Sequence, residues 1–377
     1  MMSDRLVAVF STFETLTDPR VRRSRRHELF DLVVVALCGT IAGSDTWADI
    51  ERFGKERLDW LRTFLTLRHG IPSHDTFGRV FARLDPAKLV ACIQQWLDDV
   101  GLEIGKHIAI DGKTLRGSFD KAAQKNPLHL VSAWASEARL TLGQIATDAK
   151  SNEITAIPLL LELLDLQGTT VTIDAMGCQK EIAEKIVDGG GDYVLALKDN
   201  HPTLCEAVSA EFTKALDAES PPTEMKRHVT VQKSRGRNER REYYALPASP
   251  KLPGFDLWKS LCTLVMVVRL TEKDGVQTGQ VSYFLSSRKT QVKSLARLIR
   301  QHWQIESMHW VLDVTFTEDA SRIRKQHSPQ TSAMLRRLAV SIISSDTSIK
   351  DNIRGKRYRA SLSTNVLETL LLNFAKN

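Results

Sequence analysis

Cysteine is sparse and scattered. The five present (Cys38, Cys92, Cys178, Cys205, Cys262) never form a C-x-x-C pair, which argues against a disulfide framework and a zinc ribbon and fits a reducing compartment. Long apolar runs are missing too. The longest, Leu32 to Gly43, is too short to span a bilayer and predicts a buried helix, with no membrane partner. The opening residues MMSDRLVAVFSTFETL lack the basic stretch, apolar run and cleavage site of a signal peptide. No internal repeat or low-complexity tract is evident. Gly189-Gly190-Gly191 lacks the Lys-Ser/Thr of a phosphate-binding loop and reads as a turn closing a helix.

What is present is a 377-residue chain, 42% hydrophobic and 26% charged, more than one hydrophobic core usually serves. Lys and Arg number 52 against 45 Asp and Glu, net +7. A mild basic excess favours a polyanionic partner, but its distribution says more. Arg20, Arg22, Arg23, Arg25 and Arg26 crowd into PRVRRSRRHELF, a density suited to phosphate contacts or to a solvated arm.

The periodicity predicts helices through residues 1–103. Over 51–67, Phe53, Leu58, Leu61, Phe64 and Leu65 fall near helical spacing. Gly70 is a stop and Ser73 an N-cap for a following helix with Phe77, Val80, Phe81 and Leu84 on one face and Arg79 and Arg83 exposed. Spacing alone does not separate a helix-turn-helix DNA reader from a plain helical hairpin. From residue 104 the chain reads as three strands, a helix (ITAIPLLLELLDL, with Ser151 or Asn152 as cap), a strand, a helix and a strand. That is the order of a ribonuclease H-like mixed sheet with flanking helices, an α/β fold. A β-rich insertion is expected over 206–290, a closing helix over 291–345 and a tail over 346–377.

Asp111 ends the apolar run HIAI, and Asp174 ends TVTI. Acids at the carboxyl ends of strands stand where open sheets place their chemistry. Taken singly, each is better explained as a turn former. Together they suit Mg2+ or Mn2+, which prefer carboxylate and water. Glu306, in HWQIESMHW, supplies a third acid on a core-seeking helix, where Trp303 and Trp310 read as core aromatics. Two ions about 3.5–4 Å apart would then serve an in-line phosphoryl displacement. Asp313, Glu318 and Asp319 are rival third ligands. His302, Glu306 and His309 share a helix face, but the H-E-x-x-H of zinc proteases is absent.

IAIDGKTLRGS, TIDAMGCQKEIA, YVLALKDN and HWQIESMHWVLDVTFTEDASR resemble the DDE-type bacterial insertion-sequence transposases, in particular the H-repeat-associated (ISAs-type) branch. The N-terminal DPRVRRSRRHELFDLVVVALCGTIAGSDTWADI and GIPSHDTFGRVFARLDP are similar to that branch's helical region. The resemblance runs over roughly residues 10–345. It implies a ribonuclease H-like core, a β insertion before the last acid, and Mg2+-dependent strand cleavage and transfer at element ends, with the triad on Asp111, Asp174 and Glu306. One departure stands out. The wider class carries Tyr-x2-Arg-x3-Glu-x6-Lys around its glutamate, where this chain has Ile299, His302 and Asp313.

Charge logic adds candidate DNA contacts: Lys113 and Arg116 after the first aspartate, Lys198 ending a strand, Arg235, Arg237, Arg240 and Arg241 in a basic hairpin, and Arg322, Arg324 and Lys325 after the last acid. The expectation is a cytoplasmic, nucleoid-associated DNA transposase acting on inverted-repeat ends and target DNA, as a homodimer in the synaptic complex. The rivals are a relic that only binds DNA and a nuclease that cuts without joining.

Overall fold

The apolar stretch that begins at Leu32 lies in a helix buried almost all round, as a helix without a polar face must be. This is α2 (Leu29–Ile41), in a computed structural model that describes residues 2–119, 124, 126–147, 153–220, 222–234 and 236–375. Among the described residues no helix is long and apolar enough to cross a membrane. The chain divides into two units, Met1–Ile104 with Gly112–Lys150 and Glu306–Asn377, and Gly105–Asp111 with Ser151–Ile305.

The first unit begins with α1 (Met2–Phe10), α2, α3 (Trp47–Glu56), α4 (Leu58–Leu61), α5 (His74–Arg83) and α6 (Pro86–Asp99). The helix expected over 51–67 is broken. It stops at Glu56, resumes for one turn as α4, and then leaves helical geometry so that Phe64 can pack on Phe10, ring centroids 6.5 Å apart. Gly70 takes a positive φ of 71°, and the Ser73 hydroxyl accepts from the Thr76 N–H to start α5. Phe77, Val80, Phe81 and Leu84 are buried as the spacing predicts, and Arg79 and Arg83 are exposed. The three strands follow as β1 (His107–Leu115), β2 (Leu128–Ala135) and β3 (Leu140–Thr147), in the order β3-β2-β1 with β2 and β3 antiparallel.

The second unit holds the start of β1, then α7 (Glu153–Leu161), β4 (Thr170–Ile173), α8 (Lys180–Asp188), β5 (Asp192–Leu197), α9 (Pro202–Asp217), β6 (Lys226–Ser234), β7 (Arg237–Pro247), β8 (Thr263–Lys273), β9 (Val276–Ser286) and most of α10 (Val292–Val314). The strand order is β1-β4-β5-β9-β8-β7-β6; β1, β4 and β5 are parallel and the rest antiparallel. The insertion strands therefore extend the parallel sheet, as the mixed α/β reading requires. Its first stretch is not strand, because α9 puts Leu204, Val208, Phe212 and Ala215 into the core at helical spacing. The start of α10 lies on the sheet, with Leu295, Ala296 and Ile299 packed among Val194, Tyr243 and Val265. The glycine triplet closes α8, whose C-cap is Gly189. The proposed caps Ser151 and Asn152 lie outside the described residues.

The chain then returns to the first unit with α11 (Ser328–Ser345), α12 (Ile353–Leu362) and α13 (Thr364–Phe374). α11 is buried along nearly its whole length, Arg336 and Arg337 included. Arg337 meets Glu318 at 2.9 Å with both side chains fully buried. The stretch from 346 on is well packed: Leu367, Leu370, Leu371 and Phe374 are buried, and Phe374 stacks on Trp96 at 5.0 Å. Each such side chain contributes about 1.5–3 kcal/mol by leaving water.

Candidate active site

β1 and β4 pair in the register His107↔Thr170, Ile108↔Val171, Ala109↔Thr172 and Ile110↔Ile173. The next residues, Asp111 and Asp174, stand level just past this pairing; β4 ends at Ile173, but β1 runs on through Asp111 to Leu115, so Asp111 lies within its strand and does not end it as the sequence suggests. Because side chains alternate along a strand, both acids follow the face that carries His107 and Thr172. On that face the Thr172 hydroxyl stands 2.9 Å from His107 Nε2 and 2.9 Å from His302 Nδ1 of α10. One hydroxyl proton serves one ring, and its oxygen accepts from the other. Burial, aided by His302 and Arg297, holds the His107 imidazole down at about 3, so it is neutral at any physiological pH.

Asp174 fulfils the turn-former role and more. Its Oδ1 accepts from the backbone N–H groups of Met176 at 3.1 Å and Gly177 at 3.3 Å. A Cβ on Gly177 would stand 2.8 Å from the Ile157 side chain and collide with Ile173, so only glycine fits this turn. Two backbone donors alone would lower a carboxyl's pKa. That of Asp174 is raised instead, by burial first and then by the negative charges of Glu153 and Asp111. Glu153, the first residue of α7, is a neighbour that no strand-end pattern reveals.

Neighbouring carboxylates at a strand edge suit a hard divalent cation. Asp111 and Asp174 offer oxygen ligands of the kind Mg2+ takes, one or two carboxylates with water and substrate oxygens completing the shell. Among the described residues no group of three or more His, Cys, Asp or Glu side chains is gathered to hold a metal. Asp111 and Asp174 are the candidate metal-binding pair at this edge.

Lys198 follows β5, whose register with β4 is Thr170↔Asp192 to Ile173↔Leu195. It is exposed at the same carboxyl edge as the two acids. The loop beyond it is tied to the Asp174 turn, with Asn200 Nδ2 donating to the Ala175 carbonyl at 2.7 Å and His201 Nε2 2.7 Å from the Cys178 carbonyl. These two residues carried no sequence signal.

Glu306 lies on α10 one turn beyond His302. Ile305, Met308 and Leu312 take the buried side of the helix and Glu306 is exposed. The reading of Trp303 and Trp310 as core aromatics is corrected: they are 40% and 62% exposed. Trp303 serves as a platform for arginine, with Arg269 and Arg300 at 5.2 and 5.9 Å from its ring centre.

Two family models match this chain, one described as DDE_Tnp_1-associated over residues 10–97 and one described as Transposase DDE domain over residues 104–342. YncI of Escherichia coli O157:H7 is 38% identical over 362 residues, covering 94% of this chain and 92% of its own length. The chain belongs to the DDE transposase family. The H repeat-associated YhhI of Escherichia coli (strain K12) is also 38% identical to this transposase, over 92% of each chain. A piggyBac transposase synaptic complex with hairpin DNA aligns loosely, at TM-score 0.42 and 10% identity over 99% of this chain and 76% of that one.

The basic residues of the transposase fall into distinct settings. In the N-terminal arm, Arg20 is buried on Asp18 at 2.7 Å and Arg25 also reaches Asp18, whereas Arg22, Arg23 and Arg26 are exposed. Lys113 does not face solvent as expected. It is 8% exposed, with its Nζ 2.6 Å from Asp313 and 3.2 Å from Asp319, so Asp313 is already matched by a cation. Arg116 is exposed, 3.4 Å from Asp319. The rival ligand Glu318 is consumed by Arg337. In the hairpin, Arg240 pairs with Glu242 at 2.8 Å and Arg241 is buried on Glu239. Arg237 is exposed, and Arg235 lies outside the described residues. Arg79, Arg83, Arg322 and Arg324 line one groove.

Proposed function

We propose that this chain is an active DNA transposase that binds the inverted-repeat ends of an insertion sequence, cleaves a phosphodiester there and transfers the freed strand to target DNA. The observation that carries the reading is the level placement of Asp111 and Asp174 just past the paired stretch of the neighbouring parallel strands β1 and β4, with the pKa of Asp174 raised by burial and then by its acidic neighbours. Asp111, Asp174 and Glu306 are the acids assigned to hold divalent ions, Mg2+ or Mn2+, in a two-ion site. Bound there, the metal would supply Lewis-acid stabilisation of the charge that builds on the phosphoryl oxygens.

The chain's own groups do the rest. The His107–Thr172–His302 chain fixes the floor under the acids, and the Met176 and Gly177 N–H groups hold the Asp174 carboxylate in one orientation. Lys198 offers a cation to an incoming phosphate at that edge. In the first step a water oxygen bonds to phosphorus and the P–O bond to the 3′ oxygen breaks, leaving a 3′ hydroxyl. In the second, that 3′ oxygen attacks a target phosphorus and displaces the target's own 3′ oxygen. Two ends must be processed together, which calls for a homodimer in the synaptic complex.

The test is an in vitro assay on end-containing DNA. The wild-type chain should yield nicked and then joined product with Mg2+, while Asp111→Asn, Asp174→Asn and Glu306→Gln should each lose cleavage by at least ~100-fold and still bind the ends. Binding without any metal-dependent cleavage by the wild type would point to a relic. Nicking that never proceeds to joined product would point to a nuclease.

A further inference from the structure

The first unit contains a groove of about 750 Å³ whose two walls come from opposite ends of the sequence. One wall is α5, presenting Arg79 and Arg83; the other is the segment before α11, presenting Arg322, Arg324 and Lys325. The junction of this segment with α11 is bolted to the carbonyls of α5. The His327 N–H donates to the Ala82 carbonyl at 3.2 Å, the Ser328 hydroxyl to that of Gly78 at 3.3 Å, and the Thr331 hydroxyl to that of Phe81 at 3.1 Å. Glu318 beneath Arg337, and Ser321 on Arg336 at 3.0 Å, pin its beginning from below. The two walls are thus held at a fixed spacing.

Charge bookkeeping separates this groove from the other basic regions. In the hairpin, Arg227 and Arg240 are paired with Glu242, and Arg241 and Arg269 with Glu239. In the groove, Arg79, Arg83, Arg322 and Lys325 have no ion pair with a described carboxylate. Arg324 is oriented by the Gly117 carbonyl at 3.1 Å and by the Phe119 ring. The one acid in the lining, Asp75, is 76% exposed and near His74. Five cations against one carboxylate, on a rigid frame, is a surface that gains most from an anion repeating along a line. The groove's one indole, Trp47, is committed to Phe81, stacked at 4.7 Å, which leaves little aromatic face for the base stacking that single strands need.

We infer that this groove holds the sugar-phosphate backbone of double-helical DNA, with Arg79 and Arg83 on one side of the contact and Arg322 and Lys325 on the other. The inference rests on the reading of the chain as a DNA-handling enzyme, but not on its chemistry. It can therefore be tested in the full-length Asp174→Asn chain in EDTA, where cleavage plays no part. Binding of a labelled duplex of random sequence is followed by anisotropy across a salt series. Adding Arg79→Gln and Arg322→Gln should lower the log–log salt slope by about 2, one phosphate contact per residue, and weaken binding similarly for every sequence. Arg52→Gln, which removes an exposed cation already paired with Asp49 at 2.6 Å, should leave the slope unchanged. Circular dichroism melts of the exposed-arginine variants should match the parent. An unchanged slope in the double variant, equal loss on Arg52→Gln, or equal affinity for single strand and duplex would each overturn the assignment. Failure of wild-type cleavage would leave it standing.

Discussion

Lys113 Nζ lies 2.6 Å from Asp313 Oδ1, joining the strand that carries Asp111 to the helix that carries Glu306. The related pattern in the wider class has a lysine at the position of Asp313; here the acid is on the helix and the lysine on the strand. Lys113 is almost fully buried while Asp313 and Asp319 are about one-third exposed, at 34% and 28%, so the pair is worth more than a surface bridge and less than a sealed one. Lys113→Ala should cost about 2 kcal/mol in urea denaturation, because two carboxylates then face each other. Lys113→Arg should recover part of that loss. An unchanged midpoint for the alanine variant would remove Lys113 from the account.

The raised pKa of Asp174 has a consequence that does not require DNA. An acid whose folded-state pKa exceeds its unfolded value binds more protons folded than unfolded between the two, so stability falls as pH rises through that window. Metal-free protein should therefore be more stable once Asp174 is neutralised. Asp174→Asn should melt higher than wild type at pH 7, and Mg2+ should raise the melting temperature of wild type but not of the variant. Equal shifts with Mg2+ in both would mean the cation binds elsewhere.

Arg337 and Glu318, both fully buried at 2.9 Å, make a second stability test. Arg337→Leu strands a buried carboxylate and should cost about 3–5 kcal/mol, whereas Arg337→Leu with Glu318→Leu should cost clearly less. Additive losses in the two singles and the double would contradict a coupled pair.

Gly117 tests the approach of β1's end to the segment after α10. A Cβ there would lie 2.6 Å from the Asp319 carbonyl oxygen and strike that of Ser321, and backbone cannot swing aside as a side-chain tip can. Gly117→Ala should destabilise by about 1–3 kcal/mol in a thermal melt. A neutral substitution would show that this segment yields.

Much of this was legible in the residues. HIAI and TVTI read as strands because short runs of mainly apolar and β-branched residues suit a buried parallel sheet, and the succession of strands and helices gives the fold class; that β1 runs past Asp111 to Leu115 is not visible in that pattern. What stayed hidden depends on partners distant in sequence. A lysine after Asp-Gly looks exposed until Asp313 arrives from 200 positions away. The Thr172 link to His107 and His302 needs the strand register and a helix laid over it. The exposure of Trp303 and Trp310 is hidden because hydrophobicity says an aromatic wants cover, not which side of α10 the core occupies. The four buried positions of α9 sit in a stretch dominated by the strands that follow, which hides their helical spacing.

The sharpest test of the two-aspartate site is a change of ligand at Asp174. A thiolate is a poor partner for Mg2+ and a better one for the softer Mn2+. If Asp174 binds the metal directly, Asp174→Cys should fail to cleave end DNA with Mg2+ and regain cleavage with Mn2+, while the wild type uses both. Wild-type cleavage by Asp174→Cys or Asp174→Asn in Mg2+ would contradict the account.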